Sequence, residues 1–155
     1  MSLDQEIELL SNVALFEEFQ TEHLRLLAFG ADKRVINAGA EIFHTGAYAD
    51  GGYVIVSGTV QILSDDLEDQ NTVGQYGRAS LIGELAMISE GNRNCTAIAK
   101  DRVELVVISR ILFRRMLQEY PELAESIHAK ISGSVRNFIT RLERIQRSLD
   151  HIDMV

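Results

Sequence analysis

Between Lys33 and about Ile108 the apolar residues leave the helical period and come in short runs cut by glycines and acidic turns. The runs are Glu41-Ile42-Phe43, Tyr53-Val54-Ile55-Val56, Val60-Gln61-Ile62-Leu63 and Ala97-Ile98-Ala99, and among the turns that separate them is the acidic stretch 64–71. Many short strands with regular turn signals predict an antiparallel barrel of the jelly-roll, or double-stranded β-helix, type. On both sides of it the spacing is helical. Ile7, Leu9, Leu10 and Val13 suit one helix, and Leu24, Leu26, Leu27 and Phe29 suit a second with Thr21 as its N-cap. Helical spacing returns from Ile111, and Pro121 suits the first turn of the last helix, where a missing N–H costs nothing. The expectation is one mainly β domain over 1–155, with helices over about 3–30, a barrel over about 33–108 and C-terminal helices, the last one long, over about 110–150.

Length and composition narrow the class. A chain of 155 residues buries about 68–70% of its unfolded surface, enough for a sizeable core. Hydrophobic residues make up 46% and charged residues 25%, as in ordinary globular proteins. The formal net charge of −8 argues against nucleic acid as a partner, because phosphate neutralisation needs a basic face. The single cysteine, Cys95, excludes an internal disulfide and reads as a small buried hydrophobe rather than a redox sensor. With no signal peptide and no long apolar run, the cytoplasm is the expected compartment and no membrane is expected.

One segment carries chemistry. Gly83-Glu84-Leu85-Ala86 is followed by Arg93, ten residues after the glycine, and by Thr96. Glycine before a short helix permits close backbone approach, and the free N–H groups of the first turn attract an anion. Arg93 supplies a planar, permanently charged fork. Glu84, an acceptor only when ionised, suits a sugar hydroxyl rather than a phosphate. An anion seat beside a hydroxyl acceptor suits a nucleotide. Taken singly, Gly83 reads equally as a turn glycine, Glu84 as an acid favoured by a helix dipole, and Arg93 as a surface arginine.

Together these residues resemble the phosphate-binding cassette of the cyclic nucleotide-binding domain, shared by cAMP receptor proteins, regulatory subunits of cAMP-dependent kinase and cyclic-nucleotide-gated channels. The family pattern F-G-E-L-A-L-x-x-x-x-P-R-A-A-T faces Ile82-Gly83-Glu84-Leu85-Ala86-Met87 and Arg93-Asn94-Cys95-Thr96. The stretch from Phe43 to Val60 is similar to the family's first barrel hairpins, and Leu9 to Phe16 to its N-terminal helix and turn, so the resemblance covers about 7–145. It implies that Glu84 holds the ribose 2′-hydroxyl and Arg93 the exocyclic phosphate oxygens. N–H groups near Leu85, Ala86 and Cys95 would complete the cradle, and Ile62, Val73 and Ile82 would line the sugar and base. Two departures stand out. Asn92 replaces the proline that pre-sets the turn before the arginine. Asn94 and Cys95 replace two small residues; the family associates a hydroxyl directly after the arginine with cGMP and an alanine with cAMP, and Asn94 is neither. cAMP is the expected ligand over cGMP, with no cofactor.

The last helix carries a seam. His128, Ile131, Val135, Phe138, Leu142, Ile145, Leu149 and Ile152 alternate spacings of three and four, the pattern of a coiled coil, interrupted at Gly133. The resemblance implies a homodimer through this helix, with Phe138 where relatives contact the base; the seam could instead fold back on its own barrel. The sequence given ends ten residues past 145, so a helix-turn-helix domain and DNA reading by the family's route are not expected. The expected function is a non-enzymatic sensor in which nucleotide binding moves the C-terminal helices, its downstream protein partner unspecified. The alternatives are a scaffold of the same fold without nucleotide, or a metal enzyme on a similar barrel. The last needs clustered histidines, whereas His23, His44, His128 and His151 are scattered.

Overall fold

The computed structural model describes residues 1–63 and 72–132, with Thr72 and Val73 as backbone only. The chain divides into two compact units, Met1–Tyr120 and Pro121–Val155. Positions 133–155 of the expected dimer seam, Phe138 among them, and the polar stretch 64–71 lie outside the described residues.

The first unit opens with helix α1 (Leu3–Ser11), whose Ser2 and Gln5 cap each other reciprocally: the Gln5 N–H donates to Ser2 Oγ and the Ser2 N–H to Gln5 Oε1. Leu9 and Leu10 enter the core. A 3-10 turn (Ala14–Phe16) leads to α2 (Thr21–Gly30). The N-cap of α2 is Gln20, not Thr21, because the Gln20 N–H is taken by His23 Nδ1 at 3.0 Å, one turn along. The buried stripe of α2 is His23, Leu24, Leu27 and Ala28, so Phe29 points away and is 83% exposed.

Ten strands follow among the described residues: β1 (Asp32–Ile36), β2 (Glu41–Phe43), β3 (Tyr48–Ala49), β4 (Gly51–Ser57), β5 (Val60–Leu63), β6 (Thr72–Tyr76), β7 (Leu81–Ile82), β8 (Gly91–Asn92), β9 (Thr96–Ala99) and β10 (Val103–Ser109). They form two four-stranded antiparallel sheets, β1-β10-β4-β7 and β2-β9-β5-β6, and a two-stranded ribbon, β3-β8. Non-sequential neighbours such as β10 between β1 and β4 are what a jelly-roll requires. Phe43, Tyr53, Ile55, Val60, Ile82, Ala97, Ala99, Val103, Leu105 and Val107 fill the interior from both sheets. Each large apolar side chain in it contributes about 1.5–3 kcal/mol of burial.

Helix α3 (Arg110–Glu119) starts directly from β10, with Ser109 Oγ accepting from the Leu112 N–H at 3.1 Å. Leu112, Phe113 and Met116 are its buried face. In the second unit a helix begins at 122, immediately after Pro121 as its fixed dihedral favours, and is described to 132. Helices at both ends of a mainly antiparallel barrel are as the residue pattern predicts. No helix among the described residues is long and apolar enough to cross a membrane.

Candidate functional site

The segment that turns out of β7 is built around Gly83. It sits at φ 73° and ψ 31°, the left-handed region open to glycine, and caps a 3-10 turn over Glu84–Met87. The Ala86 N–H closes that turn on the Gly83 carbonyl at 3.2 Å. Ala86 and Met87 are buried while Leu85 is 47% exposed. Glu84 is half-buried and makes no hydrogen bond or ion pair among the described residues.

Arg93 comes back to this turn from β8. Its backbone is pinned at both ends: its N–H donates to the Ala47 carbonyl at 2.7 Å, and its carbonyl accepts from the Gly46 N–H at 2.8 Å. Just before it, Asn92 pairs with Tyr48 across the β3-β8 ribbon. The ribbon therefore fixes the turn that a proline would otherwise pre-set. Thr96 anchors the other side, its Oγ1 accepting from the Thr45 N–H at 3.1 Å.

The Arg93 side chain turns inward and is only 7% exposed. Nη2 donates to the Gly51 carbonyl at 2.7 Å. The guanidinium lies over the Phe43 ring, 4.4 Å from its centroid, and 5.4 Å from that of Tyr53, both within cation–π range. Its Nε is buried and has no hydrogen-bond partner. A Cβ on Gly83 would stand 2.5 Å from Nη1, so the missing side chain there is the space the arginine occupies. Neutral acceptors and rings hold this charge; no carboxylate among the described residues pairs with it. A buried cation in that state favours a mobile anion.

Ile82 is buried in the barrel core, and Ile62 and Cys95 pack against the same cluster. Asn94 is exposed. Val73 lies on β6 opposite β5, described as backbone only, and Phe138 lies outside the described residues.

Sequence reasoning missed a second arginine. Arg110, the first residue of α3, is 8% exposed and stands behind the 3-10 turn. Its Nη1 donates to the carbonyls of Ala49 at 2.9 Å, Ala86 at 3.1 Å and Ser89 at 3.2 Å, and Nη2 donates to the Tyr48 hydroxyl. Its own N–H donates to the Asp50 carbonyl at 2.7 Å. The corner 49–51 is therefore held by two arginines, Arg93 at Gly51 and Arg110 at Ala49 and Asp50. The only signal in the sequence was a basic residue in a first helical turn, where the dipole disfavours it.

A jelly-roll with flanking helices and a glycine-capped turn facing a buried arginine sets the class of fold. Comparison with known proteins makes this specific: residues 33–120, more than half of the chain, match the family model of the cyclic nucleotide-binding domain, and the chain belongs to that family. A cyclic nucleotide-binding-like protein from Brucella abortus is 42% identical, over 74% of this chain and 99% of that one, with a TM-score of 0.67. The sensor domain of the transcriptional regulator DNR from Pseudomonas aeruginosa is 25% identical, over 88% and 93% of the two chains, with a TM-score of 0.76. Among curated proteins, a lysophospholipase of Pyricularia oryzae is 32% identical over 105 residues, which is 67% of this chain. The chain spans about 7% of the length of such lysophospholipases.

Proposed function

We propose that this chain is a non-catalytic, cytoplasmic regulatory module that binds a cyclic nucleoside monophosphate, cAMP in preference to cGMP, and relays its presence to the C-terminal helices. The observation that carries the reading is the state of the two charged groups: Arg93 is buried against Gly83 with a free Nε, and Glu84 stands half-buried beside the same glycine without a partner. Arg93 would take the exocyclic phosphate oxygens with Gly83 and the Leu85 and Ala86 backbone alongside. Glu84 would accept from the ribose 2′-hydroxyl, as an ionised carboxylate can. Ile62, Val73 and Ile82 would form the apolar wall, with Asn94 and Cys95 at the phosphate edge and Phe138 towards the base. Asn94 lacks the hydroxyl the family uses with cGMP, which favours cAMP.

The relay has a physical route. A phosphate that draws Arg93 from the Gly51 carbonyl alters the corner 49–51, whose other carbonyls are the acceptors of Arg110, and α3 begins at Arg110. The ligand would thus favour one arrangement of the helices through a group it touches, the condition any such switch must meet. Pairing of the seam 128–152 with a second copy, and a place within a larger protein as in the lysophospholipases, complete the proposal.

A second reading, a scaffold without nucleotide, is favoured by one observation: the Gly51 carbonyl and the rings of Phe43 and Tyr53 give the Arg93 guanidinium protein partners of its own. A thermal-shift panel separates the two. At about 100 times Kd a ligand adds about 2.7 kcal/mol, roughly 5–10 °C for a chain of this size. The expected outcome is such a rise with cAMP, less with cGMP and none with AMP. No rise with any cyclic nucleotide at millimolar concentration leaves the scaffold.

A further inference from the structure

On the outer side of the corner that Arg110 holds, a hollow of about 420 Å³ lies between Tyr48 and the first turns of α3. Arg110 forms part of its lining, and Arg114, Arg115 and Gln118 follow along the helix. We propose that this hollow is a docking site for an acidic, apolar-containing peptide segment of a partner protein. The proposal does not depend on the nucleotide reading.

Charge is the first support. All three guanidiniums lack a carboxylate partner among the described residues: Arg110 is held by carbonyls and a phenol, and Arg114 and Arg115 make no ion pair. Glu90 on the rim is the one acid in the lining, leaving the hollow positive in a chain of net charge −8. Helix polarity is the second. α3 has no acid in its first turn and opens on Arg110, the reverse of what the helix dipole favours there. An arrangement that costs stability in isolation is offset when an anion is seated there. Arg110, more than nine-tenths buried, makes the floor rigid rather than a loose surface cluster.

Apolar exposure decides the kind of anion. Tyr48 is 62% and Ile111 76% exposed, both lining the hollow beside the guanidiniums. Tyrosine and arginine around an apolar side chain are the residue types that anchor protein partners. Nucleic acid and anionic membrane surfaces, in contrast, are extended polyanions that call for a broad basic face, whereas this lining sets three arginines beside an exposed tyrosine and isoleucine.

The test is fluorescence anisotropy with a dye-labelled peptide alternating Glu and Leu, with a Lys–Leu peptide, a single-stranded DNA oligonucleotide and phosphatidylserine vesicles as competing probes. Saturable binding of the Glu–Leu peptide is expected, weakening with added salt and falling about tenfold in the double variant Arg114→Glu, Arg115→Glu. Both side chains are exposed, so an unchanged melting temperature of the variant confirms that the fold is intact. No saturable binding, equal binding by the variant, or stronger binding of DNA, vesicles or the Lys–Leu peptide overturns the proposal. Salt-sensitive self-association that the same variant abolishes, without peptide binding, assigns the face to a second copy and also overturns it. Because the variant retains Glu84 and Arg93, nucleotide titration on it reads the other site separately.

Discussion

Two buried arginines flank one short turn, and they are buried in opposite ways. Arg110 gives its guanidinium to three carbonyls and a hydroxyl, while Arg93 makes one hydrogen bond, lies over two rings and leaves Nε unpartnered. The first is tied to the backbone it supports. The second is parked, with a charge that neutral groups satisfy only in part. Removing each therefore has a different consequence, and the contrast can be broken experimentally.

The largest effect on stability belongs to Arg110→Met. It leaves the buried Ala49 and Ala86 carbonyls without their arginine donor, each at about 1–3 kcal/mol, and removes a further, part-buried bond to the Ser89 carbonyl. A loss of about 3 kcal/mol or more is expected in urea unfolding; a loss no greater than that of Arg93→Met would erase the distinction. Gly83→Ala comes next. A Cβ there meets Arg93 Nη1 and the backbone is left-handed, so about 1–3 kcal/mol of destabilisation is expected, with nucleotide affinity falling alongside. Retained affinity would show that the glycine serves only the turn. Tyr48→Phe removes a single hydroxyl from Arg110 and should cost about 1 kcal/mol by the same measurement. Arg93→Met orphans one buried carbonyl, that of Gly51, and forfeits two ring contacts, but it also removes an unsatisfied buried Nε, so a net loss of about 1 kcal/mol is expected, well below that of Arg110→Met.

The same contrast explains what was legible from residues alone. Gly83 read as a glycine before a short helical turn, and the runs at Glu41–Phe43 and Val60–Leu63 read as strands, because turn chemistry and side-chain alternation are local properties. Where Arg93 rests was not legible, since Gly51 and Phe43 reach it only through pairing of distant strands. The grip of Arg110 joins partners 21 to 62 residues away and carries no motif. Asn92 taught the same lesson in reverse: a position that reads as a weakened turn is secured by its pairing with Tyr48. Phe29 misled because apolar character does not specify which face of a helix meets the core.

Isothermal titration of cAMP into the wild-type chain and into Arg93→Met is the most direct measurement. Two charge-assisted hydrogen bonds to phosphate are worth about 3 kcal/mol, so single-site binding by the wild type and an affinity about a hundredfold lower in the variant are expected. Equal affinity in the two proteins, or no heat from the wild type at millimolar cAMP, would contradict a phosphate seat at Arg93.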